Sequence, residues 1–222
     1  MIPRELLATA EVPGGPPLRL IRHGADHMIM LERNELMSSR KSGSEKALAE
    51  LAIDRLGKRP GLRLLIGGYG MGFTLRAALA ALGRDAQVVV AELVPEIIDW
   101  ARGPMAALTG DCLDDPRVEI RIGDVAAVIA DGQKYDAILL DVDNGPDAVV
   151  RPDNDMLYTR PGLRKARAAL NPGGILAIWS AGSDPVFANR LGKAEFTVEE
   201  VKLRARENGK GPIHYIWFGT RR

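Results

Sequence analysis

The chain has 222 residues, 46% of them hydrophobic, and a formal charge of +1 at pH 7. That length and apolar content suffice for one large core with a small appendage, and near-neutrality gives no electrostatic ground for a nucleic-acid or membrane-surface partner. The lone Cys112 excludes an internal disulfide and a paired-cysteine metal knuckle. With no apolar run long enough to span a bilayer and no basic-then-apolar start, a soluble, cytoplasmic protein is expected.

Residues 1–43 read as a small β element. Pro13-Gly14-Gly15-Pro16-Pro17 interrupts the chain before two extended runs, Leu18–Arg22 and His27–Leu31, which predict a hairpin. Residues 44–222 read as a second, larger unit. Ser44 opens a helix to about Leu56, with Leu48, Leu51, Ala52 and Leu56 on one face and Lys46, Glu50 and Arg55 on the other, stopped by Gly57 and Pro60. Strands at 62–66, 87–91, 117–121 and 136–140 then alternate with helices near 73–82, 95–108, 125–130 and 160–170. Asn171-Pro172-Gly173-Gly174 turns into a strand Ile175–Trp179, which precedes a helix near 184–192 and two strands, Phe196–Leu203 and Ile213–Gly219. Such alternation predicts an α/β fold: a doubly wound, Rossmann-like, mostly parallel sheet with helices on both faces and an antiparallel C-terminal hairpin.

The chemistry concentrates at strand ends. Leu64-Leu65-Ile66 runs into Gly67-Gly68-Tyr69-Gly70-Met71-Gly72 and then into a helix. Glycines at 68, 70 and 72 permit positive φ and let backbone N–H groups approach a ligand without an intervening Cβ. Glu92 ends the next strand at the distance expected of a ribose-binding acid. Asp124 follows the third strand and Asp141 ends Ala137-Ile138-Leu139-Leu140. Ligands of open α/β sheets bind at carboxyl ends of strands, so these groups predict one nucleoside crevice.

Together with Asp115-Pro116-Arg117-Val118 and Tyr135-Asp136-Ala137-Ile138-Leu139-Leu140-Asp141, these motifs resemble the spermidine synthase-like branch of the class I S-adenosylmethionine-dependent methyltransferase superfamily, over about residues 60–180. The N-terminal hairpin fits that branch's small β domain. By this resemblance Gly68, Tyr69, Gly70 and Gly72 line the aminoacyl part of an S-adenosylmethionine or decarboxylated S-adenosylmethionine donor. Glu92 grips the ribose hydroxyls, Asp124 and the Val125 backbone read the adenine amino edge, and Leu93 packs on the ring. Asp141 matches the first acid of the Asp-Ser-Ser-Asp-Pro signature, at the meeting of donor and acceptor, and acts as base or orienter with support from Asp143. Asn144, Tyr158, Trp179 and Ser180 fall at the acceptor mouth, although simple packing explains Trp179 and its companions equally well. The resemblance also implies a homodimer and a small-molecule acceptor.

The sequence departs from the family at several places. It reads Asp141-Val142-Asp143-Asn144-Gly145-Pro146 in place of the signature, Tyr69 and Met71 stand where the glycine loop usually carries an aspartate, and Leu36 to Glu45 lacks the acidic and aromatic pattern that holds a polyamine. Arg40 and Lys41 in that segment would repel a polycation. These departures lead to an expectation of methyl transfer to a small amine. The alternatives are aminopropyl transfer from the decarboxylated donor and a non-catalytic nucleoside-binding module. Asp143 and Asn144 beside Asp141 could supply oxygen ligands to Mg²⁺, but Asp-Asn-Gly-Pro is also an ordinary turn, and no metal is expected.

Overall fold

The computed structural model describes residues 3–142 and 155–222. Strands β1 (Arg4–Ala10), β2 (Leu18–His23), β3 (Asp26–Leu31) and β4 (Asn34–Ser38) make an antiparallel sheet in chain order. Only β2 and β3 were legible as strands. β1 lies at the sheet edge, exposed over most of its length, and β4 is short, so neither shows a clean inward and outward alternation.

Helix α1 (Gly43–Leu56) leads into β5 (Arg63–Gly67), α2 (Phe73–Ala81), β6 (Gln87–Glu92), α3 (Pro95–Arg102) and α4 (Ala106–Thr109). A 3₁₀ turn, Cys112–Asp114, precedes β7 (Val118–Ile122), α5 (Val125–Ile129) and β8 (Tyr135–Leu140). The chain continues with α6 (Asp155–Tyr158), α7 (Arg160–Ala169), β9 (Leu170–Ser180), α8 (Pro185–Lys193), β10 (Phe196–Arg204) and β11 (Ile213–Arg221). The large sheet has the order β10-β11-β9-β8-β5-β6-β7; β5 to β9 pair in parallel, and β11 and β10 close it antiparallel. The fold is therefore α/β, a Rossmann-like mixed sheet beside a smaller antiparallel one.

Two local readings change. The single helix expected near 95–108 is broken, because Gly103 ends α3 by bonding back to Asp99 and Pro104 cannot continue the ladder. The Asn171-Pro172-Gly173-Gly174 segment lies inside β9, where a shift in register against β8 between Tyr135 and Ala137 accommodates the missing N–H of Pro172.

One core face gathers Leu48, Ile66, Val90, Leu139, Trp179 and Phe218 with side chains of the small sheet, and the other gathers Leu65, Ile138, Leu163, Phe187 and Trp217. From β5 the chain winds outward through β6 to β7 and then returns to β8 on the opposite side of β5. That reversal opens a crevice at the carboxyl ends of the strands. Among the described residues no helix is long and apolar enough to cross a membrane.

Candidate active site

A cavity of about 530 Å³ occupies this crevice, roofed by Leu18, Ile29 and Met37 of the small sheet and floored by residues at the ends of β5, β6 and β8. Its size suits a nucleoside with a short side arm. The glycine loop is shaped by close approach. Gly68 has φ +85°, and a Cβ there would lie 2.6 Å from the Asp141 carbonyl oxygen; at Gly70, φ +55°, it would lie 2.5 Å from Met37 Sδ. A side chain at Gly68 would collide with the Asp141 backbone, and one at Gly70, a left-handed backbone position that favours glycine, would displace the end of Met37.

Gly72 and Tyr69 serve the loop differently from the cavity-lining glycines. Gly72 caps α2 at φ +71°, where a Cβ would meet the Tyr69 hydroxyl at 2.7 Å. The Tyr69 ring is buried in the core and its hydroxyl sits 3.5 Å from Cys112 Sγ. Burial drives both groups up from their ordinary pKa values, so the thiol stays protonated and unreactive. What Tyr69 offers the site is its backbone N–H.

That N–H donates to Glu92 Oε2 at 2.8 Å, and the Val94 N–H donates to Oε1 at 2.9 Å. Glu92 is buried, which pushes its pKa up against the opposing pull of these amides. Each oxygen keeps a lone pair for a hydroxyl donor, so two adjacent hydroxyls of a ribose match the carboxylate. Glu92→Gln should therefore weaken methylthioadenosine binding at least about 100-fold in calorimetry. It should also lower the melting temperature, since its amide NH₂ would face one of two N–H donors and leave it unpaired. Unchanged affinity would remove Glu92 from the ligand.

Asp124 caps α5, its Oδ1 accepting from the Ala126 N–H at 2.8 Å, and lines the cavity with its neighbour Val125 and with Leu93. Val125 fits against Gly67, where a Cβ would meet its methyl at 2.9 Å. The predicted nucleoside contacts Gly68, Gly70, Glu92, Leu93, Asp124 and Val125 thus share one wall.

Asp141 lies at the other end. It faces the cavity but protein surrounds it elsewhere, and this desolvation pushes its carboxyl above the usual range, while the Thr74 hydroxyl, 3.1 Å from Oδ2, opposes the rise. Opposite stands Glu45 of α1, which the sequence reading passed over as a site residue. Its pKa is also raised, first by burial and then by the Asp141 charge; Ser44 and Lys41 pull it back. A signal for Glu45 was present, since it falls on the buried stripe of α1 with Leu48, Ala49 and Ala52. Ser44 Oγ is 2.6 Å from Glu45 Oε2 and 2.8 Å from His214 Nδ1, and the His214 ring meets Trp179 edge to face with centroids 4.7 Å apart. Lys41 also lines the cavity and pairs with Glu35 at 2.7 Å.

Trp179 reaches the cavity, but Ser180 and Tyr158 are not among its lining residues. Neighbours on a strand face opposite ways, so Ser180 turns from the Trp179 side and its hydroxyl bonds Gly182. Tyr158 packs on Phe187 in the core of the opposite sheet face, centroids 5.9 Å apart. Asp143 and Asn144 lie outside the described residues. Among those described, no group of three or more His, Cys, Asp or Glu could hold a metal ion.

Comparison with known proteins adds a lineage to this geometry. The spermine/spermidine synthase domain matches residues 58–191. The polyamine aminopropyltransferase of Nitrosomonas europaea is 34% identical over 93 residues, 41% of this chain and 27% of that protein. Its counterpart in Mycobacterium tuberculosis is 35% identical over 126 residues, 54% and 23% of the two chains. That of Korarchaeum cryptofilum is 30% identical over 131 residues, 58% and 37%. The matched stretch thus spans only 23% to 37% of these relatives' length. A spermidine synthase solved with the transition state analogue AdoDATO superposes with a TM-score of 0.74 at 18% identity, covering 98% of this chain and 72% of that one. The spermidine synthase of Thermotoga maritima gives 0.75 at 17%, covering 98% and 73%. At such identity these two structures speak for the fold.

Proposed function

The chain belongs to the spermine/spermidine synthase domain family, and from that premise we propose that it is an aminopropyltransferase acting on decarboxylated S-adenosylmethionine and a small amine. The polyamine aminopropyltransferases that it matches favour this reading over methyl transfer. The observation that carries it here is the carboxylate pair Glu45 and Asp141, facing the cavity beyond the glycine loop. A donor that keeps its carboxylate would set a further negative charge against an acidic pair whose pKa values are already raised. The decarboxylated donor ends in an ammonium and carries a sulfonium, so it sets cations there. Lys41, the one lysine or arginine among the described lining residues, is already engaged by Glu35 and offers little to an anionic arm.

In this reading Glu92 and Asp124 fix the nucleoside, so the sulfonium and its propyl arm point toward Asp141. The acceptor arrives as an ammonium and gives a proton to the carboxylate pair, with Asp141 as the base. Its freed lone pair attacks the carbon next to sulfur. A C–N bond forms as the C–S bond breaks, the sulfur keeps the electron pair, and neutral methylthioadenosine results. Sulfonium is already a good leaving group, so the protein's contribution is alignment, proton removal and exclusion of water. Met37 and the small sheet supply that roof.

Calorimetry with S-adenosylmethionine, its decarboxylated form and methylthioadenosine, followed by mass analysis of an amine panel, tests the proposal. The decarboxylated donor should bind at least about tenfold tighter than S-adenosylmethionine, an electrostatic difference of about 1.4 kcal/mol or more, and the amine should gain an aminopropyl group. Preference for the intact donor with a methyl gain would overturn it.

A further inference from the structure

The base that removes the acceptor's proton must lose it again before the next turnover. Glu45 and Asp141 are charge-coupled in the cavity, and among the described residues a hydrogen-bonded path leads away from Glu45. Ser44, Glu45 and His214 are 0%, 6% and 7% exposed, yet each is polar. Ser44 stands in the first turn of α1 but makes no capping bond to the helix; its hydroxyl lies between Glu45 Oε2 and His214 Nδ1, at 2.6 and 2.8 Å. Buried polar groups in such a core are costly unless fully paired.

A hydroxyl has one proton, so Ser44 can donate to only one of its two partners and must accept from the other. If Glu45 is protonated, it donates to Ser44 Oγ, and Ser44 donates to Nδ1 of an imidazole that carries its proton on Nε2. If Glu45 is ionised, Ser44 donates to it, and the imidazole must donate from Nδ1. Passing from the first arrangement to the second shifts protons along short hydrogen bonds and releases one at Nε2, with no charged imidazole left behind. Burial holds His214 down to about 4, which keeps it neutral in both arrangements at pH 7. His214 lines the same cavity as the exposed Ala181 and Pro212, which mark its rim.

We infer that Ser44 and His214 form a proton relay from the Glu45–Asp141 pair to the cavity rim. It rests on the aminopropyl-transfer reading. The acceptor N–H proton passes to Asp141, and loss of that charge lowers the proton affinity of Glu45, which then gives up its own proton. The Glu45 carboxyl proton then moves to Ser44 Oγ as the Ser44 proton moves to Nδ1, and the Nε2 proton goes to water. The groups facing this path are Thr74 of α2 and Asp141 after β8, Lys41 ahead of α1, and Trp179 of β9 against the imidazole. Ser44 and His214 are positioning and conducting residues; neither needs to touch the reacting carbon.

Stopped-flow mixing with decarboxylated S-adenosylmethionine in the presence of a pH indicator reads the relay without turnover. The arriving cations lower the pKa of the pair, and wild type should release a proton as fast as it binds the donor. In Ser44→Ala and His214→Phe the release should lag binding by about tenfold or more and recover on adding imidazole to the buffer, whereas Ser44→Thr, which keeps the hydroxyl, should behave as wild type. Steady-state turnover of the two broken variants should show the same dependence on buffer concentration. Proton release as fast in both variants as in wild type, or a slow release that imidazole leaves unchanged, would overturn the relay and leave Ser44 and His214 with a packing role. A wild type that binds the donor without releasing a proton would overturn it too. A wild type that binds no adenosyl sulfonium would overturn the transferase reading, and the relay with it. Circular dichroism separates these results from misfolding; should Ser44→Ala not fold, His214→Phe and Ser44→Thr decide.

Discussion

Asp141→Asn is expected to lower the single-turnover rate of amine alkylation by about 10² to 10⁴-fold, the usual contribution of a positioned base. The substitution preserves shape, and the asparagine side chain can still accept from Thr74, which lies 3.1 Å from Oδ2 in the native protein. What disappears is the group that takes the proton from the attacking nitrogen. Glu45 gives partial compensation at most. Its pKa is raised in part by the Asp141 charge, so in the variant it ionises more readily, but burial, the larger cause, remains. Neutral methylthioadenosine should bind the variant within about threefold of wild type, because the proposed nucleoside contacts, Glu92 and Asp124, line another part of the cavity. A large loss of methylthioadenosine affinity would place Asp141 on the donor and not on the acceptor.

The ligand-free protein should become less stable as pH rises from about 6.5 to 8.5, and Glu45→Gln should remove much of that decline. The sign follows from linkage. Glu45 and Asp141 both have folded pKa values above their ordinary ones, so the folded chain keeps protons that the unfolded chain has already released. Their favourable contribution is complete below the ordinary carboxylate range and is lost as pH passes upward through the raised values. His214 works the other way, since its lowered pKa costs stability only as pH falls below about 6.5, toward about 4. Above that limit the carboxylates act without it. A tenfold change in proton affinity between folded and unfolded chain is worth about 1.4 kcal/mol, and a glutamate raised to about 8 loses on the order of 2 kcal/mol across the window, or roughly 4–8 °C in melting temperature for a domain of this size. Differential scanning calorimetry of both proteins at pH 6.5 and 8.5 checks it. Parallel curves for wild type and Glu45→Gln would mean that Glu45 is ionised in the folded protein throughout.

The wall of the cavity proposed for the nucleoside was legible because its parts lie at fixed places in a repeating local plan. Gly68, Gly70, Glu92 and Asp124 each follow an apolar strand, and the parallel sheet carries all strand ends to one edge. The acceptor half depends on pairings that no local pattern announces. Ser44 and His214 are 170 positions apart and meet only because β11 inserts antiparallel beside β9, bringing its buried face over α1. His214 alternates with Ile216 and Phe218 on that face, so a lone polar residue in an apolar row was its one visible mark. Glu45 carried one mark, its place on the buried stripe of α1, which neighbours Lys46 and Glu50 masked by suggesting a solvated face. Trp179 and Ser180 show the limit of proximity in sequence, since a strand sends adjacent side chains to opposite layers. The expectation of methyl transfer followed from the displaced second acid of the signature, the missing loop aspartate at Tyr69 and Met71, and a 36–45 segment that lacks polyamine-holding groups and carries Arg40 and Lys41; the paired acids, which argue for a cationic arm, became visible only in three dimensions.

The two facing acids also bear on how a catalytic cycle ends. On the aminopropyl-transfer proposal they attract a sulfonium and an ammonium on the same guest, but once the propyl arm has moved, the thioether left behind carries no charge at all. The spent nucleoside would keep its proposed ribose and adenine contacts and forfeit its electrostatic hold, so the chemistry itself would loosen the grip on what must depart and leave the vacated anionic end ready to draw in a fresh cation ahead of the neutral leftover.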